Sequence, residues 1–450
     1  MDGAGPQAEF PLMTFPADES AQRLAGVYPQ NQEGRWMQRV KVLGGALQAA
    51  EWQVLADVAR HQSPATPLHL TTRQDVELHD LAPEAVLHAQ RRLAEGGLTG
   101  RGAGGDTLRN ITVCPCSGTA GRPDLAPLAV EVRRTLEATD GIFALPRKFK
   151  ISFSACAEGC GQPWINDLGF VARRDGDRRG FEVVACGSLG ARPGTAMRIF
   201  EFLPAADVGP CALAAVRVFM ARGDRANRAR ARLRHVRERI GDAPFAVILR
   251  DAVVRAKAER PWPDVPWAEG PATLVARRTL TFPHGDVTAV EAEALAALAQ
   301  QTPLAVRIAN HHRVIVWGPS AAAVDAAVAA LPALARARTP QPAIVACPGR
   351  RWCRRGLTDT RALADRLRAA AGGVLSPEIT VAISGCLNGC AQSAVADVGL
   401  IGVRAAGQEA YHLFVGGGMG RTDHLAEPAG HGLVSDEVVA RIVAGAMGAA

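Results

Sequence analysis

Aromatic side chains are scarce in this 450-residue chain, at 5% with only two tyrosines. None interrupts its densest basic run, Ala221–Arg239 (A-R-G-D-R-A-N-R-A-R-A-R-L-R-H-V-R-E-R). That run therefore lacks the stacking platforms on which single-stranded nucleic acid is held, and nucleic acid is excluded as an expected partner. No stretch of roughly 20 apolar residues is present, although 48% of the chain is hydrophobic. The alanine-rich segment Ala321–Ala337 is broken by Asp325, Pro332 and Arg336 and reads as amphipathic helix, so no membrane span is expected. Met1–Ser20 is acidic and proline-containing, without a basic-then-apolar signal pattern, which makes the cytoplasm the expected location. Gly416–Gly418 is not followed by the Lys-Ser/Thr of a phosphate loop and reads as a turn, and no nicotinamide or flavin fingerprint occurs.

What is present is arginine and cysteine. Net charge is +7, with arginine the dominant cation, which favours anionic ligands or an acidic partner. In a reducing compartment, ten cysteines are better explained by metal or redox chemistry than by disulfides. Cys347, Cys353, Cys386 and Cys390 form C-x5-C followed by C-x3-C, in A-C-P-G-R-R-W-C-R-R-G and I-S-G-C-L-N-G-C-A. Thiolates in two short pairs converge readily on a soft metal, and the adjacent glycines and proline let the backbone wrap a bulky group. The spacing differs from the C-x2-C pairs of common zinc modules. Cys186 and Cys211 lack paired partners and read as core thiols.

Self-comparison organises the chain. K-I-S-F-S-A-C-A-E-G-C-G-Q-P-W-I-N-D-L-G-F-V-A from Lys150 aligns with T-V-A-I-S-G-C-L-N-G-C-A-Q-S-A-V-A-D-V-G-L-I-G from Thr380, placing Cys156 and Cys160 on Cys386 and Cys390. Leu68–Leu78 aligns more faintly with Val306–Val316. Each partly alternates like a half-buried strand and follows a helical stretch, Ala46–Ala59 or Val290–Ala299. The expected division is an N-terminal arm (1–24), a small unit (25–104), a larger one (105–257), a linker or packed arm (258–274), a second small unit (275–340) and a second larger one (341–450). Met1–Arg23 is expected to be loosely held. The first copy carries Cys114, Cys116, Cys156 and Cys160 without the C-x5-C spacing, and Cys156/Cys160 read as a relic of duplication rather than a second metal site. His311 and His312 read as structural.

The first copy holds cations beside glycines or turns, in Q-R-V-K-V-L-G-G (38–45), L-T-T-R-Q (70–74), L-R-N-I-T-V-C-P (108–115) and L-P-R-K-F-K-I (145–151). A pleated K-F-K sets Lys148 and Lys150 on one face of a strand, where two ammonium groups repel unless they face an anion.

These motifs, with the cysteines that follow them, resemble those of the siroheme-dependent sulfite and nitrite reductases over roughly Arg35 to Arg421. The likeness is closest to the ferredoxin-type sulfite reductases. It implies an α+β fold, internally duplicated, with ferredoxin-like half-domains and larger mixed α/β domains in a pseudo-twofold arrangement around a central cofactor. Implied cofactors are a [4Fe-4S] cluster, ligated by Cys347, Cys353, Cys386 and Cys390, and siroheme, which Cys390 also bridges. By position, Arg39 (before Lys41), Arg109, Lys148 and Lys150 are the implied catalytic cations gripping the substrate anion. Arg73 and Gln74 are implied contacts to siroheme carboxylates, with Arg147 assisting. The implied reaction is six-electron reduction of sulfite to sulfide, or of nitrite to ammonia, with a separate electron donor such as ferredoxin docking on the Arg222–Arg239 face. Plant-type nitrite reductases usually carry Asn at the second lysine, so Lys150 tilts the reading to sulfite. The chain ends sooner after Gly416–Arg421 than typical assimilatory enzymes, which implies less C-terminal cover over the site. The alternatives are precorrin-3B synthase of cobalamin biosynthesis, a shorter relative that usually lacks K-F-K and the arginine-rich insert, or a non-catalytic iron–sulfur or zinc protein.

Overall fold

A computed structural model of the chain describes residues 15–448, apart from 17, 266, 340 and 372–374. Most of the arm expected to be loosely held lies outside the described residues. From Asp18 onward it is anchored: the Asp18 carboxylate accepts from the Ser20 and Ala21 N–H groups, both at 2.8 Å, and caps α1 (Glu19–Leu24).

The first small unit comprises β1 (Val27–Pro29), β2 (Trp36–Val40), α2 (Ala49–Gln62), β3 (Leu68–Leu70), β4 (Val76–Leu81) and α3 (Pro83–Glu95). Its antiparallel sheet runs β1-β2-β4-β3. The first larger unit contains β5 (Thr112–Val113), β6 (Pro123–Asp124), α4 (Ala126–Glu137), β7 (Ile151–Ser154), β8 (Leu168–Asp175), β9 (Arg178–Ala185) and β10 (Met197–Pro204). Helices α5 (Val208–Arg222), α6 (Leu233–Ile240) and α7 (Asp242–Ala258) complete it. Next come β11 (Ala268–Glu269), β12 (Ala276–Thr281), β13 (Asp286–Val287), α8 (Ala289–Ala299), β14 (Ala305–Ile308), β15 (Arg313–Gly318) and α9 (Ala321–Ala329). The chain then forms β16 (Ala343–Ala346), α10 (Gly349–Trp352), α11 (Thr360–Ala371), β17 (Thr380–Ser384), β18 (Val398–Ala405), β19 (Gln408–Val415), β20 (Glu427–Leu433) and α12 (Ser435–Gly448).

The two larger sheets have one topology. β5-β7-β8-β9-β10 and β16-β17-β18-β19-β20 are each parallel across the first two pairings and antiparallel across the last two. The small sheets match as well, β2-β4-β3 against β12-β15-β14. Helices α2 and α8 start on equivalent caps, where the Glu51 and Glu291 carboxylates accept from the N–H groups of Gln48 (2.6 Å) and Thr288 (2.8 Å). They pack against each other through one shared core in which Trp52, Leu55 and Leu295 are fully buried.

A pseudo-twofold axis passes between the copies. Gln162 and Gln392 exchange side-chain hydrogen bonds (2.7 and 2.9 Å), each from a left-handed backbone position (φ 59 and 70). Such a reciprocal amide pair is what a self-complementary contact requires. Asp167 accepts from the Lys150 N–H at 2.9 Å as Asp397 accepts from Thr380 at 2.8 Å. The copies also clamp each other. β11 pairs with β6, and Gly270 N–H donates to Arg122 O at 2.8 Å, which grips the loop after β5. Residues after β1 grip the loop after β16, with Asn31 N–H donating to Trp352 O (3.0 Å) and Arg354 Nε to Gln30 O (2.7 Å).

Several local expectations change in detail. Leu68–Leu78 and Val306–Val316 are hairpins, not single strands, because their polar centres turn at Gln74 (φ 63) and at His311 and His312 (φ 66 and 60). K-F-K lies just before β7, extended, with Phe149 buried and bridged to Leu108. The basic run is not one helix face: it passes from the end of α5 through a short turn at Arg228–Arg230 into α6. The proline- and tryptophan-rich stretch is a packed arm, with Trp267 5.2 Å from Phe181 between ring centroids.

Gly45 (φ +68) and Gly285 (φ +75) occupy equivalent turns, each against the other copy's strand end. An added Cβ would meet Ile308 O at 2.1 Å and Leu70 O at 2.8 Å, respectively. Gly45→Ala therefore combines left-handed strain with a backbone clash, and a loss of about 2 kcal/mol or more is expected in urea unfolding. An unchanged midpoint would show that this crossing does not hold the copies together.

Candidate functional site

The carboxyl ends of adjacent parallel strands deliver the cysteines. Cys347 follows β16, Cys353 ends α10, and Cys386 and Cys390 lie in the loop after β17. Glycine is needed where these loops touch: Gly349 sits at φ +59, and a Cβ on Gly385 would lie 3.1 Å from its Cα. Backbone N–H groups aim at the sulfurs, Gly349 and Gly385 at Cys347 (the latter at 3.2 Å), Arg355 and Gly356 at Cys353, and Asn388 at Cys386. Burial pushes all three of these thiols up, so a bound cation is what favours their thiolates. No three of the four sulfurs lie within 4.8 Å of one another. The tetrad is thus too open for a single tetrahedral ion, whose thiolates stand ~3.8 Å apart at a Zn–S distance of about 2.3 Å. It suits a larger cluster.

Across from it, the first copy presents cations. Two of the chain's four lysines are Lys148 and Lys150. Both keep some accessible surface yet are enclosed by protein, so they line an internal cleft. Neither ammonium has a hydrogen bond or ion pair among the described residues. Burial, with the charges of Arg232 and Arg109, pushes Lys148 down to about 7; its proximity to Cys390 acts the other way. Lys150 is likewise pushed well down by burial, Arg73 and Lys148. Arg109 and Arg73 each bury an Nε without a partner. The Arg73 guanidinium also donates to Asn166 Oδ1 and Asn110 O, both at 2.7 Å. Thr72 Oγ1 donates to Cys390 O at 2.9 Å, which ties the cationic turn to the cysteine loop.

The remaining expected residues are otherwise engaged. Arg39 forms an ion pair with Glu77 (2.6 Å) and donates to Ala103 O, a carbonyl that Arg109 shares. Lys41 pairs with Glu137 at 3.0 Å. Gln74 uses its amide to join the copies, donating to Val113 O (2.8 Å) and Ile308 O (3.0 Å) and accepting from Val113 N–H. Arg147 pairs with Asp106 at 2.8 Å. Sequence reasoning missed Arg232, which leaves the basic run to enter the cleft and pair with Asp167 at 2.8 Å. It also missed Gln162 and Gln392. Their signal was the shared G-C-x-Q spacing of the two repeats, Cys160 to Gln162 and Cys390 to Gln392.

Residues 104–253 and 342–447 match the nitrite and sulphite reductase 4Fe-4S domain, and residues 28–96 match the nitrite/sulfite reductase ferredoxin-like half domain. The chain belongs to the nitrite and sulfite reductase family. It is 30% identical to the assimilatory ferredoxin-dependent nitrite reductase of Haloferax mediterranei, over 96% of this chain and 83% of that one. It is 27% identical to a ferredoxin sulfite reductase of Mycobacterium tuberculosis, over 93% and 78%. The solved structure of the M. tuberculosis NirA protein superposes with a TM-score of 0.80 at 24% identity, covering 95% of this chain and 86% of that one, and shows the fold. The chain is thus an oxidoreductase of nitrite or sulfite whose cofactors are a [4Fe-4S] cluster and siroheme. The residues fit both groups: an open thiol tetrad faces enclosed cations that lack counterions, as a metal cluster beside a polycarboxylate requires. No helix among the described residues is long and apolar enough to cross a membrane.

Lys148 carries its charge below pH about 7 and loses it as pH rises through that value. A bound anion favours the charged form, so anion binding takes up a proton. Nitrite stays a monoanion across this range, and its dissociation constant, read by spectral titration of the oxidised holoenzyme, should rise with pH by up to about tenfold per unit above 7. Lys148→Met should bind more weakly and with a flat profile. Equal slopes in both proteins would remove Lys148 from the anion site.

Proposed function

We propose that the chain is a ferredoxin-dependent sulfite reductase, taking sulfite to sulfide with the three oxygens leaving as water. The observation that carries this is the pair of enclosed, partnerless ammonium groups at Lys148 and Lys150. Sulfite bears two negative charges when fully ionised, whereas nitrite bears one, so a second lysine favours sulfite more strongly. Siroheme coupled to the [4Fe-4S] cluster supplies electrons one at a time at the bound anion.

The chain's own groups do the rest. Arg109, Lys148 and Lys150 hold the anion's oxygens and the charge that develops on them, in a cleft enclosed by protein. Arg73 takes cofactor carboxylates through its free Nε. Lys148, with its lowered proton affinity, delivers protons to departing oxygen. Cys347, Cys353, Cys386 and Cys390 would hold the cluster, and Cys390, which lies beside Lys148, would couple it electronically to the siroheme. Arg39 stands behind Arg109, fixed by Glu77, and orients the Ala103 carbonyl that both share. Exposed Arg222, Arg225, Arg228, Arg230 and Arg239 offer an acidic donor such as ferredoxin a docking face. Nitrite is the second reading, favoured by the name of the 30%-identical H. mediterranei relative.

The test is the absorption spectrum of anaerobically purified protein, then turnover of each anion with reduced methyl viologen. Siroheme bands and a higher kcat/KM for sulfite are expected. Replacing Arg109, Lys148 or Lys150 singly should lower turnover by ~10²-fold, and Lys150→Asn should harm sulfite more than nitrite. Siroheme without consumption of either anion overturns the reductase reading; a preference for nitrite that Lys150→Asn leaves intact overturns sulfite.

A further inference from the structure

The first copy carries a thiol tetrad of its own. Cys114 and Cys116 leave the end of β5, and Cys156 and Cys160 leave the end of the adjacent β7, the same strand ends that bear cysteines in the second copy. The equivalence extends to the backbone: Ala155 N–H donates to Cys114 Sγ at 3.1 Å as Gly385 N–H does to Cys347 Sγ. The size of the tetrad differs. The Cys116, Cys156 and Cys160 sulfurs all lie within 4.8 Å of one another, and the Cys114 thiol stands beside Cys116 and Cys156, just outside that set. Cys114, Cys116 and Cys156 are buried and Cys160 is half-buried.

We propose that Cys114, Cys116, Cys156 and Cys160 bind one structural Zn2+, separate from the [4Fe-4S] cluster. A tetrahedral Zn2+ with thiolates at about 2.3 Å brings the sulfurs ~3.8 Å apart, a spacing that Cys116, Cys156 and Cys160 already approach and that Cys114, next to two of them, completes as the fourth ligand. An iron–sulfur cubane keeps its thiolates outside an inorganic core, at the wider spacing of the second-copy tetrad. Four protein thiolates leave no open coordination position, the mark of a structural site. The ion ties together the carboxyl ends of β5 and β7, the two adjacent strands that Arg109 and Lys150 precede in the chain. Sharing one cation also resolves the crowding of four thiols, since each thiolate that forms raises the proton affinity of its neighbours. The relic reading of Cys156 and Cys160 gives way to this one because Cys114 and Cys116 complete the set.

Metal analysis of the anaerobically purified holoenzyme should find one zinc per chain beside the cluster and siroheme iron. Zinc-edge X-ray absorption should show four sulfur neighbours at about 2.3 Å. In Cys116→Ser/Cys160→Ser, zinc should be lost while iron is retained. If that variant does not fold, the wild-type spectrum and the mass of the unreduced protein decide. Substoichiometric zinc, nitrogen or oxygen neighbours, iron in excess of one cluster and one siroheme, disulfides among these cysteines, or zinc retained by the variant would each overturn the proposal. Zinc content does not depend on which anion is reduced, so the two readings fail independently.

Discussion

Cations enclosed by protein without counterions are the constraint on which this structure depends. Lys148, Lys150, Arg73 and Arg109 meet in one cleft, and an uncompensated buried charge costs several kcal/mol. The nearby carboxylates do not cancel them. Asp167 is committed to Arg232 and to the Lys150 backbone. Asp75 is itself pushed up by burial, against the pull of Arg39, Arg73 and Arg109. The proton affinities of the two lysines fall because the protein alone does not satisfy them. A polyanionic cofactor and an anionic substrate are what such a cleft accommodates, and the binding energy they release is already stored in its geometry.

Duplication supplies the scaffold, and divergence makes the site single. Across the axis, Lys148 and Lys150 correspond to Glu378, which is exposed, and Thr380, which is buried and neutral. Arg73 and Gln74 correspond to His311 and His312. Burial pushes His311 down to about 3, so it is neutral beside the Gln162–Gln392 pair at physiological pH. The second copy therefore has cysteines where the axis brings the first copy's cations. Each copy's arm also clamps the other's cysteine loop, so neither tetrad is positioned by its own half alone.

The sequence made the repeat legible because Cys156, Cys160 and their flanks recur at one constant offset, and the repeat placed the strand-end loops. The K-F-K pair was legible for a similar reason: extended backbone sets alternate residues on one side, whether or not a strand has formally begun. The pairing of Arg39 with Glu77 was not legible, because β2 and β4 meet only in the folded sheet. The same holds for Gln74, whose amide ends against a carbonyl 234 residues away. Arg232 was hidden by its company. In a run with an arginine at nearly every other position, nothing local marks the one that turns inward, and only the break between Arg228–Arg230 and α6 aims it at Asp167. The small hairpins were read as strands because their outer residues alternate correctly, while the left-handed turn at the centre leaves only a weak polar signal.

Loop length explains how one scaffold presents two tetrads of different size. In both copies the second cysteine pair has the same C-x3-C spacing and follows an equivalent strand. The first pair differs. One proline separates Cys114 from Cys116, so their sulfurs leave β5 close together. Between Cys347 and Cys353 the chain inserts the turn of helix Gly349–Trp352, started by a glycine at φ +59 and held from outside by Asn31 and Gln32 of the other copy. That turn carries Cys353 away from Cys347 and opens the tetrad to a cluster's dimensions. It also leaves Cys390 facing the cations, with Thr72 on its carbonyl. The compact tetrad has no such opening and faces the core instead. The same duplicated fold thus separates a site that reacts from one that holds, through the length of a single loop.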